Sequence, residues 1–136
     1  MSKGLITSQR AAEVLAFLEE VGPSTEEALI IAFGPKTQKA LKHLQRAGYA
    51  FPIQREGVEF WTAGDKAFDM KSQLSYSWFC ARLLESGGRV IDGIAVFPRG
   101  QAFKIEVDGD RVFTGQYAFF FEDLIRKPLP ECVKRT

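Results

Sequence analysis

Three glycine-centred breaks constrain this chain more than any other feature. Gly22-Pro23, Gly34-Pro35 and Gly48 divide its opening into three short segments, each with apolar residues at helical spacing. In residues 8–21 these are Ala11, Val14, Leu15 and Leu18, which define a first helix stopping at Gly22-Pro23. Ser24-Thr25-Glu26-Glu27 reads as a capping box, with the Ser24 hydroxyl accepting from the Glu27 amide, and opens a short second helix through Phe33. A proline at the first helical position loses no hydrogen bond. Gly34-Pro35 is therefore expected to end the second helix and start a third over 36–47, which Gly48 closes in the left-handed conformation.

After Gly48 the pattern changes to that of strands. Residues 49–53 and 58–62 flank Gln54-Arg55-Glu56-Gly57 as a hairpin. Three helices followed by a hairpin are the order of a winged helix-turn-helix, expected to form a DNA-binding domain over residues 1–64. Residues 65–136 are expected to begin with a long helix over 65–85. Its apolar face, with Phe68, Met70, Leu74, Trp78, Phe79, Leu83 and Leu84, is wide enough to bridge two neighbours.

Strands at 89–97 and 101–107, joined at Pro98-Arg99-Gly100, follow the helix, and Asp108-Gly109-Asp110 turns into a third at 111–114. Residues 116–127 read as a helix carrying Phe119, Phe120, Phe121, Leu124 and Ile125 and stopped by Pro128, with a last strand around Cys132. The expected class is thus α+β: an N-terminal winged helix-turn-helix, a long bridging helix, and a small C-terminal β-sheet with one packed helix. No low-complexity linker separates the halves, so they are expected to pack together.

No stretch approaches the ~20 apolar residues that span a bilayer, and the start has no secretory pattern, so a cytoplasmic protein without membrane contact is expected. Cys80, Cys132 and the single His43 lack zinc-ligand spacing, and no metal or other cofactor is expected. The net charge of +1 makes no global case for nucleic acid, but its distribution does. Between Glu27 and Glu56 there is no acid, whereas Lys36, Lys39, Lys42, Arg46 and Arg55 all fall inside that interval.

Successive helical residues lie ~100° apart. On the third helix this puts Thr37, Ala40, Leu41, Leu44 and Ala47 on one side and Lys39, Lys42 and Arg46 on the other, with Gln38 and Gln45 at the edge. A core face backing a basic, amide-bearing face suits the major groove, where Lys and Arg meet phosphates or guanine and Gln pairs with adenine. Arg55, near the hairpin tip, is placed for a phosphate. The expected DNA-binding residues are therefore Gln38, Lys39, Lys42, Gln45, Arg46 and Arg55, and double-stranded DNA is the expected partner. His43, between the two faces, is assigned no role.

The order of elements resembles the winged-helix regulators of bacterial mobile elements. Over the whole chain it is similar to the replication-relaxation group of plasmid and conjugative-element proteins. The likeness rests on Leu74-Ser75-Tyr76-Ser77-Trp78 in the long helix and on strands containing Arg89-Val90-Ile91-Asp92-Gly93 and Phe103-Lys104-Ile105-Glu106-Val107-Asp108. It implies a regulatory or accessory role on a mobile element and a second half akin to a nuclease-like fold. Asp92 and Glu106 match the two acids of that fold's metal site, but Asp108 stands where lysine is wanted, and Lys104 is the nearest substitute.

No catalytic or metal-binding residue is assigned, and these acids are expected at strand ends and turns. A metal-dependent nuclease using Asp92 and Glu106, and a winged-helix module that binds protein, stand as alternatives. Phe119, Phe120 and Phe121 cannot share one helix face, so core packing is expected with one of them exposed or meeting a second surface, and a surplus exposed ring would serve a homodimer or protein partner.

Overall fold

A computed structural model of the chain describes residues 3–64 and 66–135. Its elements are mixed α and β: five α-helices and two antiparallel sheets among the described residues. The first three helices are α1 (Gln9–Val21), α2 (Glu26–Phe33) and α3 (Thr37–Ala47). Ser8 caps α1, its hydroxyl accepting from the Ala11 amide at 3.2 Å. The expected capping box does not form, because the N-cap of α2 is Thr25 and Ala28, three residues on, has no side chain that can reach back. Thr25 Oγ1 accepts from the Ala28 amide, while the Ser24 hydroxyl donates to the Gly22 carbonyl. Ser24 is held extended because its backbone exchanges two hydrogen bonds with Trp61, at 3.0 and 2.7 Å.

Pro35 also falls outside its expected helix. It lies in a turn, Lys36 is the N-cap, and α3 begins at Thr37. The buried Thr37 hydroxyl donates to the Gly34 carbonyl at 2.7 Å, tying the start of α3 to the end of α2. Gly48, at φ +86°, closes α3 as expected.

A hairpin of β1 (Phe51–Arg55) and β2 (Val58–Thr62) follows. Its loop is the pair Glu56-Gly57, both at positive φ, the geometry that matches strand twist in a two-residue hairpin. Arg55 is consequently the last residue of β1 and not a loop residue.

The long helix α4 (Met70–Glu85) starts five residues later than the sequence suggests, capped by Asp69, whose carboxylate accepts from the Ser72 amide at 3.0 Å. Asp65, the expected first residue, lies outside the described residues. α4 bridges as expected. It packs against α2 on one side and against the C-terminal sheet on the other, and Phe79, fully buried, meets the Phe119 ring at 4.9 Å. One continuous cluster of buried apolar residues runs from Ala11 to Cys132.

The second sheet has six strands in sequential order: β3 (Arg89–Ile91), β4 (Ile94–Val96), β5 (Ala102–Asp108), β6 (Arg111–Thr114), β7 (Tyr117–Phe120) and β8 (Lys134–Arg135). Two expectations fail here. Residues 89–97 are not one strand but a hairpin about Asp92-Gly93, whose φ values of +50° and +76° are those of a two-residue turn. Residues 116–127 are not one helix. Tyr117–Phe120 forms β7, paired antiparallel with β6, and only α5 (Phe121–Leu124) is α-helical. Gly115 at φ +61° opens the two-residue turn before β7, and Tyr117, Phe119 and Phe120 favour the pleated backbone that pairing with β6 offers.

A short 3₁₀ turn at Leu129–Glu131 precedes β8, which lies two residues beyond Cys132. No helix among the described residues is long and apolar enough to cross a membrane.

Candidate nucleic-acid interface

The geometry of α3 sorts its residues by face. Thr37, Ala40, Leu41 and Leu44 are buried and Ala47 is half-buried, whereas Gln38, Lys39, Lys42, Gln45 and Arg46 are all exposed. Lys39, Lys42 and Arg46 enter no ion pair among the described residues. Three cations thus project from a helix whose opposite side is locked into the core by packing on α1. Rigid backing of this kind holds charged side chains in register for a repeating anionic ligand.

Gln38 is less free than the sequence suggests. Its amide donates to Glu26 Oε2 at 2.9 Å, joining α3 to the first turn of α2. Reading a base with Gln38 would require exchanging that bond.

Arg55 differs more. Its guanidinium donates to the Gln54 carbonyl at 2.8 Å and lies 5.8 Å from the Phe68 ring centre, over the segment that leads into α4. Phe68 in turn packs edge-on against Phe60. Arg55 therefore stabilises the join between hairpin and α4, and Glu56 occupies the hairpin tip where the sequence places a positive group.

Sequence reasoning missed a basic cleft beside α3. Arg10, Lys36, Lys39 and His43, with Thr7 and Ser8, line a cavity of about 330 Å³ where the start of α1 meets α3. The first turn of α1 carries no acid, and its dipole favours an anion there. Arg10 keeps an exposed partner in Glu13 at 3.4 Å. Lys36 lay in the acid-free interval, but Arg10 belongs to another helix, and only tertiary packing brings the two together.

Comparison with protein-family models, with curated proteins and with solved structures gives no match.

The acids of the second half are placed differently from the basic residues. Asp92 sits in the β3–β4 turn, and its amide donates to Glu20 Oε1 of α1 at 3.1 Å. Lys104, Glu106 and Asp108 alternate with inward residues on the exposed side of β5, and Asp108 pairs with Arg111 at 3.3 Å. Among the described residues no three His, Cys, Asp or Glu side chains gather as metal ligands would. These acids stand at a turn, on an exposed strand face and at a strand end.

None of the three consecutive phenylalanines is exposed. Phe119 is buried on Phe79, Phe120 is half-buried beneath the Lys134 ammonium at 4.7 Å, and Phe121 is half-buried at the start of α5. Splitting the segment between a strand and a short helix supplies the separate surfaces that one helix could not. Cys80 and Cys132 are both buried free thiols.

Proposed function

We propose that α1 to β2 form a winged helix-turn-helix and that the protein binds double-stranded DNA with α3 in the major groove. The observation that carries this reading is the exposed face of Lys39, Lys42 and Arg46, without ion-pair partners among the described residues and backed by a face on which Thr37, Ala40, Leu41 and Leu44 are buried. The Ser24–Trp61 bridge supports it, because this isolated antiparallel pairing ties the segment between α1 and α2 to the hairpin and fixes the hairpin against the helices. Phosphate contacts then come from Lys39, Lys42 and Arg46 and from the cleft formed with Arg10 and Lys36, while Gln45 faces the bases. Arg55 serves mainly to hold the hairpin.

The role on DNA is regulatory or accessory, and its assignment to a mobile element rests on the resemblance alone. The exposed acids of β5 and the β3–β4 turn take no part in chemistry on this reading.

The test is binding of the full chain to duplex DNA across a salt series. Affinity should fall linearly with log salt, with a slope set by the number of phosphates neutralised. Absence of binding at low salt would overturn the reading and favour the protein-binding alternative.

A further inference from the structure

A second cavity lies far along the chain from the basic face, where the C-terminal end of α4, the turn between β4 and β5 and the segment around Leu129 meet at the sheet. Its volume is about 490 Å³, within the range of roughly 300–1,000 Å³ typical of small-molecule sites. Four aromatic rings wall it: Phe97, Phe103, Tyr117 and Phe119. They are fixed against one another edge-to-face, with Phe97 6.0 Å from Phe103 and Phe103 6.4 Å from Tyr117. Phe119 is anchored from behind by Phe79. Phe103 lies directly on Gly115, where a Cβ would come within 2.9 Å of the ring, so a glycine is needed for the ring to lie back against the sheet. These contacts fix the rings as one aromatic wall along the cavity.

The rim carries the information about charge. Arg99 is the only charged residue among those that line the cavity, and it has no ion-pair partner among the described residues. It stands in a turn closed by the Gly100 amide donating to the Phe97 carbonyl at 2.8 Å, with Pro98 at the position that proline presets. Gln101, whose backbone accepts from the Phe97 amide at 2.8 Å, adds an amide side chain beside it. An aromatic wall with one cation and one amide at its edge is complementary to a flat apolar body bearing a negative group.

We propose that this cavity is a binding site for a small planar aromatic anion, with the ring system lying against the wall formed by Phe97, Phe103 and Tyr117 and the anionic group at Arg99. The site is separate from the DNA-binding reading and does not depend on it.

The experiment is calorimetric titration of the full chain with three probes of one shape: naphthalene-2-carboxylate, 2-naphthylmethanol and 2-naphthylmethylamine. The carboxylate should bind about tenfold more tightly than the alcohol, the size of effect expected of one charge-assisted contact, and the amine should bind least. Arg99→Gln, an exposed substitution that keeps the core intact, should abolish the advantage of the carboxylate while leaving the alcohol unchanged. Phe97→Ala should weaken all three, with folding checked by circular dichroism. Equal binding of the three probes, no binding up to millimolar concentration, or a carboxylate preference that survives Arg99→Gln would each overturn the proposal.

Discussion

The side-chain amide of Gln73 donates to the Pro23 carbonyl at 2.8 Å and to the Val21 carbonyl at 3.0 Å, so one residue of α4 closes the loop between α1 and α2. Neither carbonyl belongs to the hydrogen-bonding pattern of the second half. The contact is a direct polar link between the three-helix head and the helix that carries the sheet. Gly22 sits against the same amide: a Cβ there would lie 3.1 Å from Gln73 Nε2, so the amide would have to give by a few tenths of an ångström, and the φ of +94° strains any side chain.

Gln73→Ala should therefore destabilise the whole chain by about 1–2 kcal/mol, since it leaves two partly buried carbonyls without their donor. Gly22→Ala should cost at least as much, through left-handed strain plus displacement of Gln73. Urea denaturation followed by far-ultraviolet circular dichroism measures both. Wild-type midpoints would show that the link is dispensable.

Trp78 is 7% exposed on α4. Trp78→Ala should cost on the order of 3–5 kcal/mol, comparable with the entire stability of many small domains. The loss should appear as one transition, because the buried residues form a single cluster. Two separated transitions in the variant would mean that the halves fold independently.

Replacing Lys42 and Arg46 together by Ala should weaken DNA binding for every sequence and reduce the salt slope by about two. Arg10→Ala should reduce it by about one if its cleft meets a phosphate. Arg55→Ala should leave the slope nearly unchanged and instead lower thermal stability, because its guanidinium is placed over Phe68. A full unit of slope lost with Arg55 and none with Arg10 would reverse the assignment of these two residues.

Burial holds the Cys80 thiol well above its ordinary value of 9.0, and also raises Cys132 and the Tyr76 hydroxyl beside Cys80. These groups ionise more readily in the unfolded chain. The stability associated with their neutral forms is complete below about pH 9 and is lost as the pH rises beyond it. The urea midpoint should therefore fall between pH 8 and pH 10, and the native chain at pH 8 should resist a thiol reagent that labels both cysteines in urea. Rapid labelling of native Cys80 would contradict its burial.

Asp92→Ala and Glu106→Ala should leave DNA affinity unchanged, and the wild-type chain should not nick plasmid in Mg²⁺ or Mn²⁺. Cleavage abolished by both substitutions would establish the nuclease alternative in place of a purely binding role.

Local chemistry made the head legible from the sequence. Gly22 and Gly48 end helices because they adopt backbone conformations other residues resist, and the division of α3 into a core face and a basic face follows from helical period alone. The same local rules were present in the second half as Asp92-Gly93 and Gly115-Gln116, each a two-residue turn between strands, but strong runs of apolar residues around them fit a longer strand or a helix equally well. Phe119 and Phe120 became strand residues because β6 offered a partner edge and Phe79 a surface to pack against, neither of which is near them in the chain. Tertiary packing alone brought Arg10 to Lys39, laid Arg55 over Phe68, and left the rings about Phe103 open at the end of α4. A helical period or turn signal is written in neighbouring residues, whereas these placements depend on side chains whose approach is set by the folding of the whole core.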